Sequence, residues 1–373
     1  MFTPKVDLTR GVIEHPGNSE DGRWKVSWPV GGESVWFSSE TELALRPESI
    51  VCAFLLHQMA KKAELSGDVS IDPVFADNLP KIAAVAKAYW GFDRSLPSFP
   101  TAADIDASNP KSAMFFTGGI DSFFTLKRNQ GEISTLINVH GFDIKLDDEA
   151  RFEASADGIR DVADMLGIDA VFVSTNLKQS RTFNSVNWLK THGAALAAIA
   201  QLLPGTAGVV RVASSDVAPP HGSHPDLDNL WTSGAVRLLN DEINISRFDK
   251  VKEIVHWAPA QKHLKVCWQN LSADLNCGRC EKCLRSQVAI KAAGGDLSLF
   301  RTFPERDLAE AIDNLPRAAP HLWDQWRRLI EALEDGKLVT SIENLLHRST
   351  IPPQKKRLST RIKRRVRRLL GRA

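Results

Sequence analysis

The chain is poor in cysteine and lacks a long hydrophobic run. Five cysteines occur in 373 residues, and Met1-Phe2-Thr3-Pro4-Lys5-Val6-Asp7 holds no apolar stretch of the kind that opens a secretory signal. Neither a secretory leader nor a disulfide framework is expected, and a cytoplasmic location is. The longest uncharged run, 191–210, contains His192, Gln201 and Pro204-Gly205. It reads as a buried helix, a turn and a strand rather than a membrane span. No internal repeat is evident.

What is present is ordinary in amount and uneven in place. At 43% apolar and 25% charged residues the chain can bury a large core, and its length suggests two domains. Net charge is +2, but residues 354–373 hold ten Lys or Arg and no acid, leaving 37 basic against 45 acidic residues, a net −8, elsewhere. In that tail Leu358, Ile362, Val366 and Leu369 or Leu370 recur at helical spacing on an otherwise basic segment. A basic amphipathic helix needs an anionic partner or an acidic surface, so the candidates for 354–373 are an anionic membrane surface, nucleic acid and the acidic body of the chain itself, with a solvated tail that binds nothing as the alternative. The location then extends to the periphery of the inner membrane surface.

Residues 8–46 read as short strands between Gly, Asn and Asp turns. Helices follow at 47–63 and 73–89, and Pro97, Pro100 and Pro110 within 91–111 mark a linker, with 101–111 as the boundary between domains. Residues 1–100 are therefore expected to form a small accessory α+β domain. From 112 the pattern alternates: strands at 113–116, 135–139, 170–174 and 208–213, helices at 122–128, 149–166 and 191–203. Near-continuous apolar strands separated by helices imply an α/β fold, an open parallel sheet with helices on both faces. A helical extension is expected over 296–350.

Ligands of such sheets lie beyond the strand C-termini. The first strand runs into Met114-Phe115-Phe116-Thr117-Gly118-Gly119-Ile120-Asp121-Ser122. This is strand, glycine turn, helix start. Two glycines permit unusual backbone angles, and N–H groups turned inward with a helix N-terminus make an anion nest. No Gly-Lys-Ser/Thr follows, so it is not a Walker loop. Thr117 and Ser122 can donate to phosphate oxygens, and Asp121 suits a bridging Mg²⁺. The bland alternative is a tight turn without a ligand. The other strand ends carry His140-Gly141-Phe142-Asp143, Thr175-Asn176 and Ser214-Ser215-Asp216. After the last comes a long loop, 219–233, with His221, His224, Asp226 and Asp228. Asp216, His221 and His224 are candidates for the acceptor side, His224 as acid or base because histidine titrates near neutrality.

Cys267, Cys277, Cys280 and Cys283 are spaced C-x9-C-x2-C-x2-C. Four thiolates can close a tetrahedral Zn²⁺ site with no open position, which makes the metal structural. An iron–sulfur cluster uses the same ligands and stays open as an alternative.

The turn resembles the Ser-Gly-Gly-x-Asp-Ser pyrophosphate loop of the PP-loop ATP pyrophosphatases, with Thr117 in place of Ser. Together with the downstream Cys-Gly-x-Cys-x-x-Cys it is similar to the 7-cyano-7-deazaguanine synthases of the queuosine pathway, over about 112–295. The resemblance implies a PP-loop (HUP-like) fold that binds ATP through Thr117, Gly118, Gly119, Ile120, Asp121 and Ser122. His140, Gly141 and Phe142 would border adenine and ribose, and Asp121, Ser122, Asp216 and His224 would be catalytic. The implied reaction is ligation or amidation. An acceptor carboxylate is adenylated, pyrophosphate leaves, and ammonia or an amine attacks. The glycine turn lies over a hundred residues into the chain, and the 219–233 loop is no motif of those synthases, so the acceptor differs. A tRNA-modifying relative would need a catalytic cysteine pair near the turn, and only Cys52 remains. A nucleotide-binding regulatory module without turnover is the other alternative.

Overall fold

A computed structural model describes residues 3–102, 109–215, 219–241 and 244–351. Asp216, the segment 103–108 inside the expected linker, and the basic tail of 354–373 lie outside the described residues. In chain order the elements are β1 (Lys5–Asp7), β2 (Val12–Glu14), β3 (Trp24–Val30), β4 (Glu33–Ser39), α1 (Pro47–Met59), β5 (Glu64–Ser66), α2 (Pro73–Trp90), β6 (Ser112–Phe115), α3 (Ile120–Arg128), β7 (Ile133–His140), α4 (Glu149–Leu166), β8 (Asp169–Thr175), α5 (Trp188–Ala200), β9 (Val209–Ala213), α6 (Pro225–Asp228), β10 (Arg237–Asp241), α7 (Arg247–Ile254), α8 (Ala258–His263), α9 (Glu281–Ala292), α10 (Leu308–Asp313), α11 (Trp323–Glu331) and α12 (Gly336–Thr350).

The fold is α/β, as expected, around one ten-stranded sheet ordered β10-β9-β6-β7-β8-β4-β3-β1-β5, with β2 paired to β3. The five strands from β10 to β8 are mutually parallel. Their centre is buried on both faces: Ala113, Met114, Leu136 and Ile137 are at most 1% exposed. That is why their sequence is a continuous apolar run rather than an alternation. β3, by contrast, alternates, burying Val26, Trp28 and Val30. The order means that β7 and β8 were laid down to one side of β6, and β9 and β10 to the other. The sheet reverses direction of growth between β6 and β9.

The N-terminal strands do not stand apart as an accessory domain. β4 pairs antiparallel with β8, Phe37 opposite Thr175 and Ser39 opposite Val173. Residues through Arg306 form one compact unit. The polar end of β8, which the sequence suggested for ligand binding, instead makes this joint. Thr175 Oγ1 donates to the Trp36 carbonyl (2.7 Å), and Asn176 receives the Trp36 N–H (2.9 Å) and donates to the Ser34 carbonyl (2.8 Å). α1 packs on α5, and Phe54 of α1 meets Phe183, in the turn before α5, edge to face at 6.0 Å.

The second unit begins at Asp307, not at 296. Residues before it belong to the first unit, where Thr302 receives a hydrogen bond from Asn276. In the second unit Asp307 caps α10, accepting from the N–H groups of Ala309 and Glu310 (3.0 and 3.1 Å). α12 packs against α10 and α11 and buries Leu338, Ile342 and Leu345. No helix among the described residues is long and apolar enough to cross a membrane.

Candidate functional site

Thr117–Ser122 leaves the C-terminal end of β6, beside β9, where the sheet reverses. This is the crevice in which parallel sheets take ligands. Gly118 has φ +73°, a conformation that favours glycine, and its carbonyl accepts the Lys265 N–H at 2.7 Å. Gly119 is different: at φ −78°, ψ 168° it is ordinary extended backbone, so the expected need for unusual angles holds at Gly118 alone. Gly119 is the N-cap of α3 and no side chain caps this helix end. Its first N–H groups therefore keep their donors, with the positive end of the helix dipole behind them. Thr117 is exposed at the mouth. The Ser122 hydroxyl points back, donating to the Gly119 carbonyl at 3.0 Å.

Four cations gather at this turn. Arg247 Nη1 lies 2.7 Å from Asp121 Oδ2, and Lys250 Nζ lies 3.1 Å from Asp121 Oδ1. Lys250 is 1% exposed and also donates to the Ser214 carbonyl at the end of β9, at 2.5 Å. Burial alone would raise the Asp121 carboxyl, but the charges of Arg247 and Lys250 overcome it and hold the group below its usual value. Lys265, 8% exposed, lines a cavity of about 240 Å³ with Thr117, Gly118 and His263. Burial pushes the ammonium of Lys265 down, as it does that of Lys282, which the charge of Arg247 lowers further. Asp121 and Asp143 are the acids that act on Lys282. The cavity's own lining is mixed, Lys265 and His263 with Asp157 and Asp161, whereas Arg247, Lys250 and Lys282 act on Asp121 beside it. A buried lysine such as Lys265 would gain from an added anion.

The other expected site residues have local work. His140 is 6% exposed, stacked on Phe152 at 3.9 Å, and its Nε2 lies 2.9 Å from the Lys145 carbonyl. Burial lowers its pKa, so the ring that packs on Phe152 is neutral. Gly141, at φ +107°, crosses the Thr175 carbonyl so closely that a Cβ would lie 2.0 Å from it. Phe142 packs edge to face on Trp188 at 5.0 Å. His224 caps α6, accepting the Asp226 N–H at Nδ1 (3.3 Å), and His221 stands 4.6 Å from His192. The hydrogen bonds of His221 and His224 stay within their own loop, to Ser223 and Asp226. Their loop is tied to α5 by Gly222 N–H to the Leu189 carbonyl, and to α2 by Tyr89 to Asp226.

The sequence reading did not select Arg247, Lys250, Lys265 or Lys282. One signal was there. Arg247, Lys250, Val251 and Ile254 fall at i, i+3, i+4 and i+7, so two cations occupy the apolar stripe of α7.

The four expected cysteines do converge. Cys267, Cys277, Cys280 and Cys283 are all buried, with their sulfurs within 4.8 Å of one another. Sγ–Sγ is 3.9 Å for Cys267–Cys280 and for Cys277–Cys283. Four Zn–S bonds of about 2.3 Å in a tetrahedron put sulfurs about 3.8 Å apart. In an iron–sulfur cluster the thiolates bind different irons and stand farther apart, so the spacing fits a single ion such as zinc. The N–H groups of Cys280 and Cys283 point at Cys277 Sγ and Cys280 Sγ, each at 3.4 Å. Cys280 also caps α9, and the Cys283 thiol beside it draws the Cys280 thiol down to about 5. Gly278, at φ +64°, makes the turn between the ligands, where a Cβ would meet Pro304 at 2.4 Å. Leu264–Val266, apolar around Lys265, joins no sheet. The N–H groups of Lys265 and Val266 go to Gly118 and Asn276. Purified protein should carry one zinc per chain and no visible colour, measured by elemental analysis and absorbance. Iron and sulfide with a band near 400 nm would refute the single-ion geometry.

No protein-family model, curated protein or solved structure matches this chain.

Proposed function

We propose that the chain is an ATP-dependent ligase that adenylates an acceptor, a carboxylate in the simplest case, and releases pyrophosphate. One observation carries this reading: an uncapped helix N-terminus behind a glycine turn, at the sheet's reversal point, with Arg247 and Lys250 paired to Asp121 and Lys265 against Gly118. The resemblance of Thr117–Ser122 to the PP-loop adds the reaction class. In this scheme an acceptor oxygen attacks the α-phosphorus of ATP, and the bond to the β-phosphate oxygen breaks. Pyrophosphate departs into the N–H groups of Gly118 to Ser122, while Lys265 and Lys282 neutralise its charge. Ammonia or an amine then displaces AMP from the acyl carbon. The protein's contribution is positioning and fixed charge.

Asp121 takes a different part from the one its sequence context suggested. Both its oxygens are engaged by Arg247 and Lys250. We assign it to holding those cations beneath the turn, and Mg²⁺ enters with the ATP phosphates. The zinc-type centre is structural in this scheme, since its four thiolates leave no position for substrate.

Exchange of labelled pyrophosphate into ATP tests the reading, run with a mixture of small carboxylic acids. Exchange that requires the acids, with AMP as the nucleotide product, is the expected result. ADP and orthophosphate would refute the α–β cleavage. Binding of ATP without any product would favour the regulatory-module alternative.

A further inference from the structure

The metal centre and the anion turn share their chain segments. Lys265 stands two residues before Cys267, and Lys282 stands immediately before Cys283. Between the segments lies Asn276, which is wholly buried. Its Oδ1 accepts the N–H groups of Val266 (2.8 Å) and Cys267 (3.0 Å). Its Nδ2 donates to the Leu264 carbonyl (2.8 Å) and to Thr302 Oγ1 (2.9 Å). One side chain thus fixes the backbone on both sides of Lys265. That backbone in turn reaches the turn directly, Lys265 N–H to the Gly118 carbonyl at 2.7 Å. On the other wall, Cys280 caps α9 and sets the start of the helix that carries Lys282.

We propose that Asn276 and the four-thiolate centre position Lys265 and Lys282 at the anion turn, so that metal binding and oxyanion binding are coupled. The proposal rests on reading Thr117–Ser122 as an anion site. Its physical basis is constraint. Within the centre, a bound ion joins the segment of Lys265 to the helix of Lys282 through Cys267, Cys280 and Cys283. Without the ion the thiol contacts are what holds the two sides of the centre together, and the buried Lys265 and partly buried Lys282 would move apart or toward water. An anion between the lysines draws the same two segments together. Each ligand therefore favours the arrangement that the other needs, and linkage requires the effect to be reciprocal. Asn276 is a positioning residue here, acting through Lys265.

The test uses the full-length chain, zinc and inorganic pyrophosphate. Calorimetric titration with pyrophosphate is run on zinc-loaded, chelator-stripped and zinc-restored protein, with circular dichroism as the check on folding. Stripping should weaken pyrophosphate at least tenfold, and zinc should restore it. The reciprocal experiment follows zinc release to a coloured chelator. Saturating pyrophosphate should slow release at least tenfold in the native sequence, and should not do so in Lys265→Met/Lys282→Met. Asn276→Ala should lower pyrophosphate affinity while retaining one zinc. If stripping unfolds the chain, the release experiment decides alone, since it is performed on folded protein. Equal affinity with and without zinc, or release indifferent to pyrophosphate in protein that binds it, overturns the coupling. Zinc-loaded protein that binds no pyrophosphate at all removes the anion site itself, and the coupling with it.

Discussion

Asp121→Ala is expected to destabilise the unit ending at Arg306 by about 3–5 kcal/mol at neutral pH, the usual cost of leaving a buried charge without its partner. The carboxylate lies between Arg247 and Lys250, and the lysine is 1% exposed. Its one remaining bond in the variant would be to the Ser214 carbonyl. A double variant, Asp121→Ala with Lys250→Met, should recover part of the loss, because methionine fills much of the lysine's space and brings no charge. The pH dependence has a fixed sign. The Asp121 carboxyl is held below its ordinary value in the folded state, so its stabilisation is present above the unfolded value near 4 and is lost as pH falls through the lower folded value. Urea unfolding at several pH values measures all three proteins. The native sequence should lead Asp121→Ala at pH 7 and lose that lead in acid. Strictly additive losses, with no recovery in the double variant, would show that Asp121 and Lys250 do not act as a pair.

The sequence exposes local devices better than long-range ones. The β6–turn–α3 unit was readable because apolar run, glycine turn and amphipathic helix are adjacent. The four parallel strands read from the sequence fall within two residues of where β6, β7, β8 and β9 begin and end. The cysteines were readable because spacing alone signals convergence. The β4–β8 joint was not. It links residues more than 130 positions apart, and an alternating strand such as β3 looks the same at the edge of a separate domain or in a continued sheet. That one pairing turned an expected accessory domain into part of the main sheet and consumed Thr175 and Asn176. The cations of the turn were obscured for a related reason. Lysine and arginine are usually solvated, so Lys250 and Lys282 resemble the surface face of a helix until the fold brings α7 and α9 against Asp121. His140 and His224 show the opposite case: residues able to carry chemistry, one at a strand end and one in a long loop, that here also stack on a ring and cap a helix.

A second large effect is expected inside the 219–233 loop, where Asp228 is wholly buried. Its Oδ2 accepts from Ser223 Oγ at 2.6 Å and from Asn240 Nδ2 at 2.5 Å. Its Oδ1 is buried with no hydrogen-bond partner, close against Gly193. Burial pushes the carboxyl up to about 7, and the two hydrogen bonds only partly offset that. The folded state thus holds a proton that the unfolded chain, with its carboxyl near 4, releases. Stability from this residue is complete below about pH 4, declines as pH rises toward 7, and is level above it. An asparagine side chain at this position has no charge to bury, and its amide oxygen can keep the bonds to Ser223 and Asn240. Asp228→Asn should therefore match the native protein at pH 4 and exceed it by about 2–4 kcal/mol at pH 8, from roughly three pKa units at about 1.4 kcal/mol each, reduced for relaxation. Thermal unfolding between pH 4 and 8 measures the difference. Stability curves that run parallel across that range would mean that Asp228 is not charged against its surroundings. The loop would then owe its placement to its other ties, among them Gly222 on the α5 backbone, Tyr89 on Asp226 and Gln201 on Trp231 and Ser233.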